Sequence, residues 1–126
     1  MGLSPFECMT VKWGARFAKG RVVITGLGLG YLLWLCSRRK QVKHITVCEI
    51  DEDIIEHIMP RIRPYLGPVP IKVVVGDCRN RLLKLSGDVL LADHFDSYGW
   101  NGDWYQYDSP LRAHIENNFG KVWTWG

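Results

Sequence analysis

The sequence has no internal repeat, no low-complexity tract and no apolar run long enough to cross a bilayer as a helix. The nearest candidate is the almost uncharged stretch 22–36, preceded by Lys12, Arg16, Lys19 and Arg21. It falls short of the roughly 20 apolar residues that a spanning helix needs, and it is interrupted by Thr25, Gly26, Gly28 and Gly30. A myristoylation signal is lacking as well, because Phe6 stands where a hydroxyl residue is required after Met1-Gly2. The four cysteines, Cys8, Cys36, Cys48 and Cys78, include no CxxC pair, and no His, Cys or acidic residues have metal-ligand spacing. They are expected to be reduced thiols, no metal is expected, and the predicted location is cytoplasmic. Net charge is only +3, from 16 Lys+Arg against 13 Asp+Glu, and the basic residues are scattered along the chain. Nothing in that pattern demands a nucleic-acid partner.

Among what is present, a length of 126 residues with 47% hydrophobic content suits one compact domain. Residues 1–126 are read as that domain, with 1–20 as an amino-terminal extension. Apolar runs alternate with segments of helical period, the pattern of an α/β protein with a parallel sheet. Strands are predicted at 22–25, 44–49, 71–75, 88–92 and 121–125. Helices are predicted at 28–39, 51–61, 80–84 and 110–118, and Pro60, Pro64, Pro68 and Pro70 are expected to forbid further regular helix between the second helix and the third strand. Residues 99–107, rich in aromatic and small polar side chains, read as a loop with a functional or interface use.

Right-handed crossovers place these strands in the order 3-2-1-4-5, a Rossmann-like three-layer sandwich with a mostly parallel five-stranded sheet. The winding reverses beside strand one, and a ligand cleft is expected there. The first strand breaks into Gly26-Leu-Gly28-Leu-Gly30, which permits a sharp turn and close approach of a ligand to the backbone. Glu49, Asp77 and Asp93 each follow the carboxyl end of another strand, and an acid at the tip of strand two suits the hydroxyls of a ribose. Each residue also has a plainer explanation. The glycines serve a tight turn, Glu49 caps the next helix, Gly76-Asp77 is a turn dipeptide, and Asp93 and Asp96 cap a turn. What favours a site is their convergence at four strand ends. His44, His57 and His114 are isolated and read as surface or satisfied residues.

The segments 22–30, 47–51, 75–78 and 88–93 resemble those of the class I S-adenosylmethionine-dependent methyltransferases, and within them the spermidine synthase type. The resemblance covers about residues 21–99. It implies that Gly26, Leu27, Gly28 and Gly30 pass beside the methionine moiety and that Glu49, with Ile50 beside it, holds both ribose hydroxyls. It further implies that Asp77 and the backbone of Cys78 recognise adenine, with Asp93 and His94 closing the cofactor site. Asp93-His-Phe-Asp96 is similar to the Asp-x-x-Asp of aminopropyltransferases, which makes Asp93 and Asp96 the candidate catalytic acids. It also resembles the Asp-His-aromatic of catechol-type methyltransferases, but that family's further metal-binding Asp-Asn pair has no counterpart here.

The implied cofactor is S-adenosyl-L-methionine or its decarboxylated form, and the implied activity is methyl or aminopropyl transfer. The alternative is a non-catalytic adenosyl-ligand-binding or interaction module. A dinucleotide is disfavoured because its fingerprint wants glycine or alanine at Tyr31, three residues past the second glycine. The family's usual strands six and seven have no counterpart, so the acceptor pocket is expected to be completed by a second copy, or the chain to be a reduced module of viral type. Val122-Trp-Thr-Trp125 at a sheet edge is expected to expose tryptophans unless something covers it, which predicts a homodimer or higher oligomer.

Overall fold

The computed structural model describes residues 11–92 and 110–124. Strands β1 (Gly20–Thr25), β2 (Val42–Glu49), β3 (Ile71–Val75), β4 (Gly87–Ala92) and β5 (Phe119–Thr124) form one sheet. Its order is β3-β2-β1-β4-β5, and every pairing is parallel. Helices α1 (Tyr31–Ser37), α2 (Glu52–Ile62), α3 (Cys78–Arg81) and α4 (Pro110–Asn118) make the connections and outer layers. This is the Rossmann-like α/β architecture that the alternation of patterns predicts.

Successive strand residues divide between two cores, one on each face of the sheet. Val22, Ile24, Ile45, Val47, Val89 and Leu91 pack with Leu33 and Cys36 of α1 and Met59 of α2. Val23, Cys48, Leu90 and Ala92 pack on the other face with Leu82 and with Leu111 and Ile115 of α4. Strands buried on both faces have no polar alternation, which is why β1 and β4 read as continuous apolar runs.

Local chemistry shifts several element boundaries. α1 begins at Tyr31 rather than Gly28, because Gly28 and Gly30 adopt φ of 54° and 84°, left-handed conformations that a right-handed helix cannot contain. Pro60 does not end α2, which runs through it to Ile62, and Pro64 is accommodated in a following 3-10 turn, Arg63–Tyr65. Proline there forfeits only one helical hydrogen bond near the helix end, while Ile55, Ile58 and Ile62 pack against the core. α3 starts at Cys78, not Asn80, because the Asp77 side chain caps it by accepting from the Arg79 N–H at 2.9 Å.

The segment before β1 belongs to the core rather than standing apart from it. Residues 11–15 are helical, and Val11, Ala15 and Ala18 are buried. Trp123 is half-buried against this segment, so closely that a Cβ on Gly14 would lie 2.7 Å from its indole ring. Residues 11–15 thus supply for Trp123 the cover without which a tryptophan at the sheet edge is expected to be exposed. Trp125 and the loop 99–107 lie outside the described residues. Among the described residues, no helix is long and apolar enough to cross a membrane.

Candidate functional site

A parallel sheet delivers the carboxyl ends of all its strands to one edge. Thr25 is in register with Cys48 and with Ala92, and Glu49 with Val75. The glycine turn, Glu49 and Gly76-Asp77 therefore emerge side by side although they are dispersed in sequence. Backbone hydrogen bonds join them: Gly26 N–H donates to the Cys48 carbonyl at 2.7 Å and Gly76 N–H to the Glu49 carbonyl at 3.0 Å.

Glu49 lies at the centre of this edge and is only 7% exposed. Its Oε1 accepts from the buried Leu27 N–H at 2.8 Å, and its Oε2 accepts from the Asp51 N–H at 3.0 Å. One carboxylate thus fixes both the glycine turn and the start of α2, which Asp51 caps through the Asp53 N–H at 2.9 Å. An ionised carboxylate offers about four lone-pair directions, so each oxygen can still accept a ligand hydroxyl. The plain reading of Glu49 as a structural acid is real, and it leaves room for the functional one.

The three glycines of the turn differ in what they do. Gly30 is the left-handed N-cap of α1, and a Cβ there would lie 2.6 Å from Cδ1 of Ile62, so packing of α1 on α2 explains it. Gly26 and Gly28 hold φ of 89° and 54° without such contact being their cause. The N–H groups of Gly28 and Leu29 bond to no other described residue. Leu29 is exposed, so the turn presents backbone to its surroundings.

Asp77 sits where expected, beside Glu49 at the strand ends, but its carboxylate faces its own helix. Besides capping α3 it pairs with Arg79 at 3.0 Å. The N–H of Cys78 at the first position of α3 bonds to no other described residue, which fits the backbone role the resemblance gives it. Beneath it the Cys78 thiol donates to the Cys48 carbonyl at 3.3 Å. Its hydrogen bond with the Cys48 thiol, and then burial, push the Cys78 thiol far up from its ordinary range, while the same bond lowers Cys48. The neutral thiol is therefore the favoured form of Cys78. Composition gave no sign of this contact, although both cysteines fall at a strand end.

Ile50 is 63% exposed beside Glu49. Asp93, His94 and Asp96, the candidates past β4, lie outside the described residues, which end there at Ala92. Among the described residues no group of His, Cys, Asp and Glu is assembled to hold a metal ion.

No family model matches the sequence, and no curated protein does. Solved structures do. The precorrin 8W decarboxylase of Methanobacterium thermoautotrophicum superposes with a TM-score of 0.68 at 14% identity, over 98% of this chain and 63% of that one. A SAM-dependent methyltransferase from Thiobacillus denitrificans, in complex with S-adenosyl-L-homocysteine, gives 0.64 at 17% identity, over 96% and 48%. The spermidine synthase of Thermotoga maritima gives 0.60 at 16%, over 86% and 40%. At these identities the likeness establishes a shared fold alone, the Rossmann-like α/β sandwich. The chain spans between 40 and 63% of the length of these three neighbours.

Proposed function

We propose that the chain is an S-adenosylmethionine-dependent transferase that binds the adenosyl ligand at the carboxyl ends of β1 to β4. The observation that carries this reading is the buried Glu49, anchored to the glycine turn and retaining acceptor capacity toward a ribose. Three further features support it. The Gly28, Leu29 and Cys78 N–H groups have no partner among the described residues. The turn lacks the small residue after Gly30 that a pyrophosphate-binding helix start uses, which disfavours a dinucleotide. Fold neighbours carry S-adenosyl-L-homocysteine in the methyltransferases of Thiobacillus denitrificans and Podospora anserina. The Asp77 carboxylate already accepts from Arg79 and would have to accept from an adenine amino group as well, so we assign adenine recognition first to the Cys78 backbone.

A sulfonium donor carries its own leaving group, so the protein's part is alignment and exclusion of water. In this reading Asp93 and Asp96 orient an acceptor amine or hydroxyl and take its proton. A second copy remains the proposed partner on the acceptor side, now on the edges of β3 and β5, which pair with no further strand among the described residues, rather than on Trp123.

Thermal shift against S-adenosylmethionine, its decarboxylated form, S-adenosylhomocysteine, methylthioadenosine and nicotinamide dinucleotides tests the binding. A ligand at about 100 times its Kd adds about 2.7 kcal/mol, and the adenosyl sulfur compounds are expected to produce that rise where dinucleotides do not. Stabilisation by dinucleotides alone would refute the assignment. Release of S-adenosylhomocysteine or methylthioadenosine tests transfer. Asp93→Asn is expected to abolish that release while leaving binding intact, whereas stoichiometric binding without product would make the chain an adenosyl-ligand binder.

A further inference from the structure

The basic residues, scattered in sequence, gather in space at the sheet's amino-terminal edge, opposite the glycine turn. Three depressions open there, of about 510, 250 and 300 Å³. Arg16, Lys19 and Lys121 line the first. Arg21, His44, Lys72 and Lys84 line the second, and Arg38, Arg39, Lys40 and Lys43 the third. Ten of the chain's 16 Lys+Arg are thus drawn to this one edge.

The cause is topological. In a parallel sheet every strand begins at the same edge, and Lys72 of β3, Lys43 of β2, Arg21 of β1 and Lys121 of β5 all fall within the first three residues of their strands. Register divides them between the faces, Arg21 and Lys72 on one and Lys43 and Lys121 on the other, so the cations rim the edge on both faces. The one acid in the linings, Asp88, is engaged by the Arg21 N–H at 2.8 Å. The ion pairs among the described residues, Arg79 with Asp77 and Arg112 with Glu116, both lie elsewhere. Arg39 is partly committed, since it donates to the carbonyls of Ala18 and Arg16, but the others are not held by carboxylates of the described residues. Beside the first depression Trp13 is 54% exposed, and the guanidinium of Arg16, which lines that depression, lies 4.5 Å over its ring.

We propose that this amino-terminal edge binds single-stranded nucleic acid, its phosphates on the cations that rim the edge and a base stacked on Trp13. A flexible polyanion can follow charges from one face of the edge to the other, and an aromatic backed by arginine is a stacking platform that tolerates any base. An anionic membrane is the poorer fit, because the exposed large apolar residues Leu29, Ile50, Tyr65, Val75 and Leu83 line none of these depressions. The site is independent of the adenosyl reading, being at the opposite edge of the sheet.

The test is fluorescence anisotropy of labelled oligouridylate and oligothymidylate of about 20 nucleotides, long enough to exceed a typical single-domain site. Saturable binding of either is expected, and the two probes decide between RNA and DNA. Neutralising about four phosphates gives a loss of roughly fiftyfold between about 50 and 200 mM salt. Lys72→Glu with Lys121→Glu is expected to weaken binding at least tenfold, as is the separate pair Lys43→Glu with Lys84→Glu. Arg79→Glu with Arg81→Glu lowers the net charge equally at the other edge and is expected to leave affinity within twofold. Trp13→Ala is expected to weaken binding with the salt dependence unchanged, and saturating S-adenosylhomocysteine to leave it unaltered. Absence of binding at low salt, equal weakening by all three charge-reversal pairs, or equally tight binding of polyglutamate or phosphatidylserine vesicles would overturn the proposal.

Discussion

Glu49 is the residue on which structure and proposed function meet. It is buried, accepts two backbone N–H bonds and ties loops from two strands. Glu49→Gln keeps the shape and one acceptor oxygen but removes the charge, and is expected to weaken S-adenosylhomocysteine at least tenfold in calorimetry while the protein stays folded. Glu49→Ala leaves the Leu27 and Asp51 N–H groups without their acceptor, which costs roughly 1–3 kcal/mol for a buried group and is expected to appear in urea unfolding. Equal ligand affinity in Glu49→Gln would remove the acid from the binding site. Cys78 is the residue-scale counterexample, close to the site yet chemically inert. The thiolate is the reactive form, and Cys78 is held as a buried thiol by its bond to Cys48. Iodoacetamide near neutral pH is therefore expected to leave Cys78 unmodified in the native protein and to alkylate it in urea, as mass spectrometry of the peptides would show. Rapid native modification would contradict this.

Elements were legible in the sequence where one force dominated. β3 and α4 match their expected spans because β-branched runs and a proline at the first helical position act alone. The boundaries that moved are those where two forces compete. Glycine conformation overrides apolar periodicity at the start of α1, and core packing overrides Pro60 in α2. The Asp77 cap draws α3 forward. β4 shows the strongest tertiary control, with Val89, Leu90, Leu91 and Ala92 all fully buried. Leu91→Ala is expected to cost about 2–5 kcal/mol in chemical denaturation, because both adjacent strands hold the space open against collapse. A loss under about 1 kcal/mol would mean that this strand is not central.

At the scale of the whole molecule the sheet order followed from the alternation of patterns and the handedness of crossovers, and the carboxyl edge followed from the sheet order. The candidate site was legible to that extent: Gly26 and Glu49 are drawn together by register alone. What was hidden depends on side-chain direction. The turn of Asp77 onto Arg79, the seating of Trp123 on Gly14 and the bond of the Cys78 thiol to the Cys48 carbonyl have no signature in spacing. The massing of cations was hidden for another reason, since one lysine or arginine near the start of four of the five strands looks like scatter until the strands are laid parallel. The fold thus carries a basic amino-terminal edge and a carboxyl edge where Glu49, Asp51 and Asp77 stand beside the glycine turn.

The adenosyl ligand is proposed to sit on that turn. Amide NMR of the labelled protein, titrated with S-adenosylhomocysteine, tests it most directly. The prediction is saturable shifts at Gly28, Leu29, Glu49 and Cys78, with Lys72 and Lys121 at the far edge unmoved; a spectrum unchanged by the ligand, or shifts confined to the far edge, would contradict it.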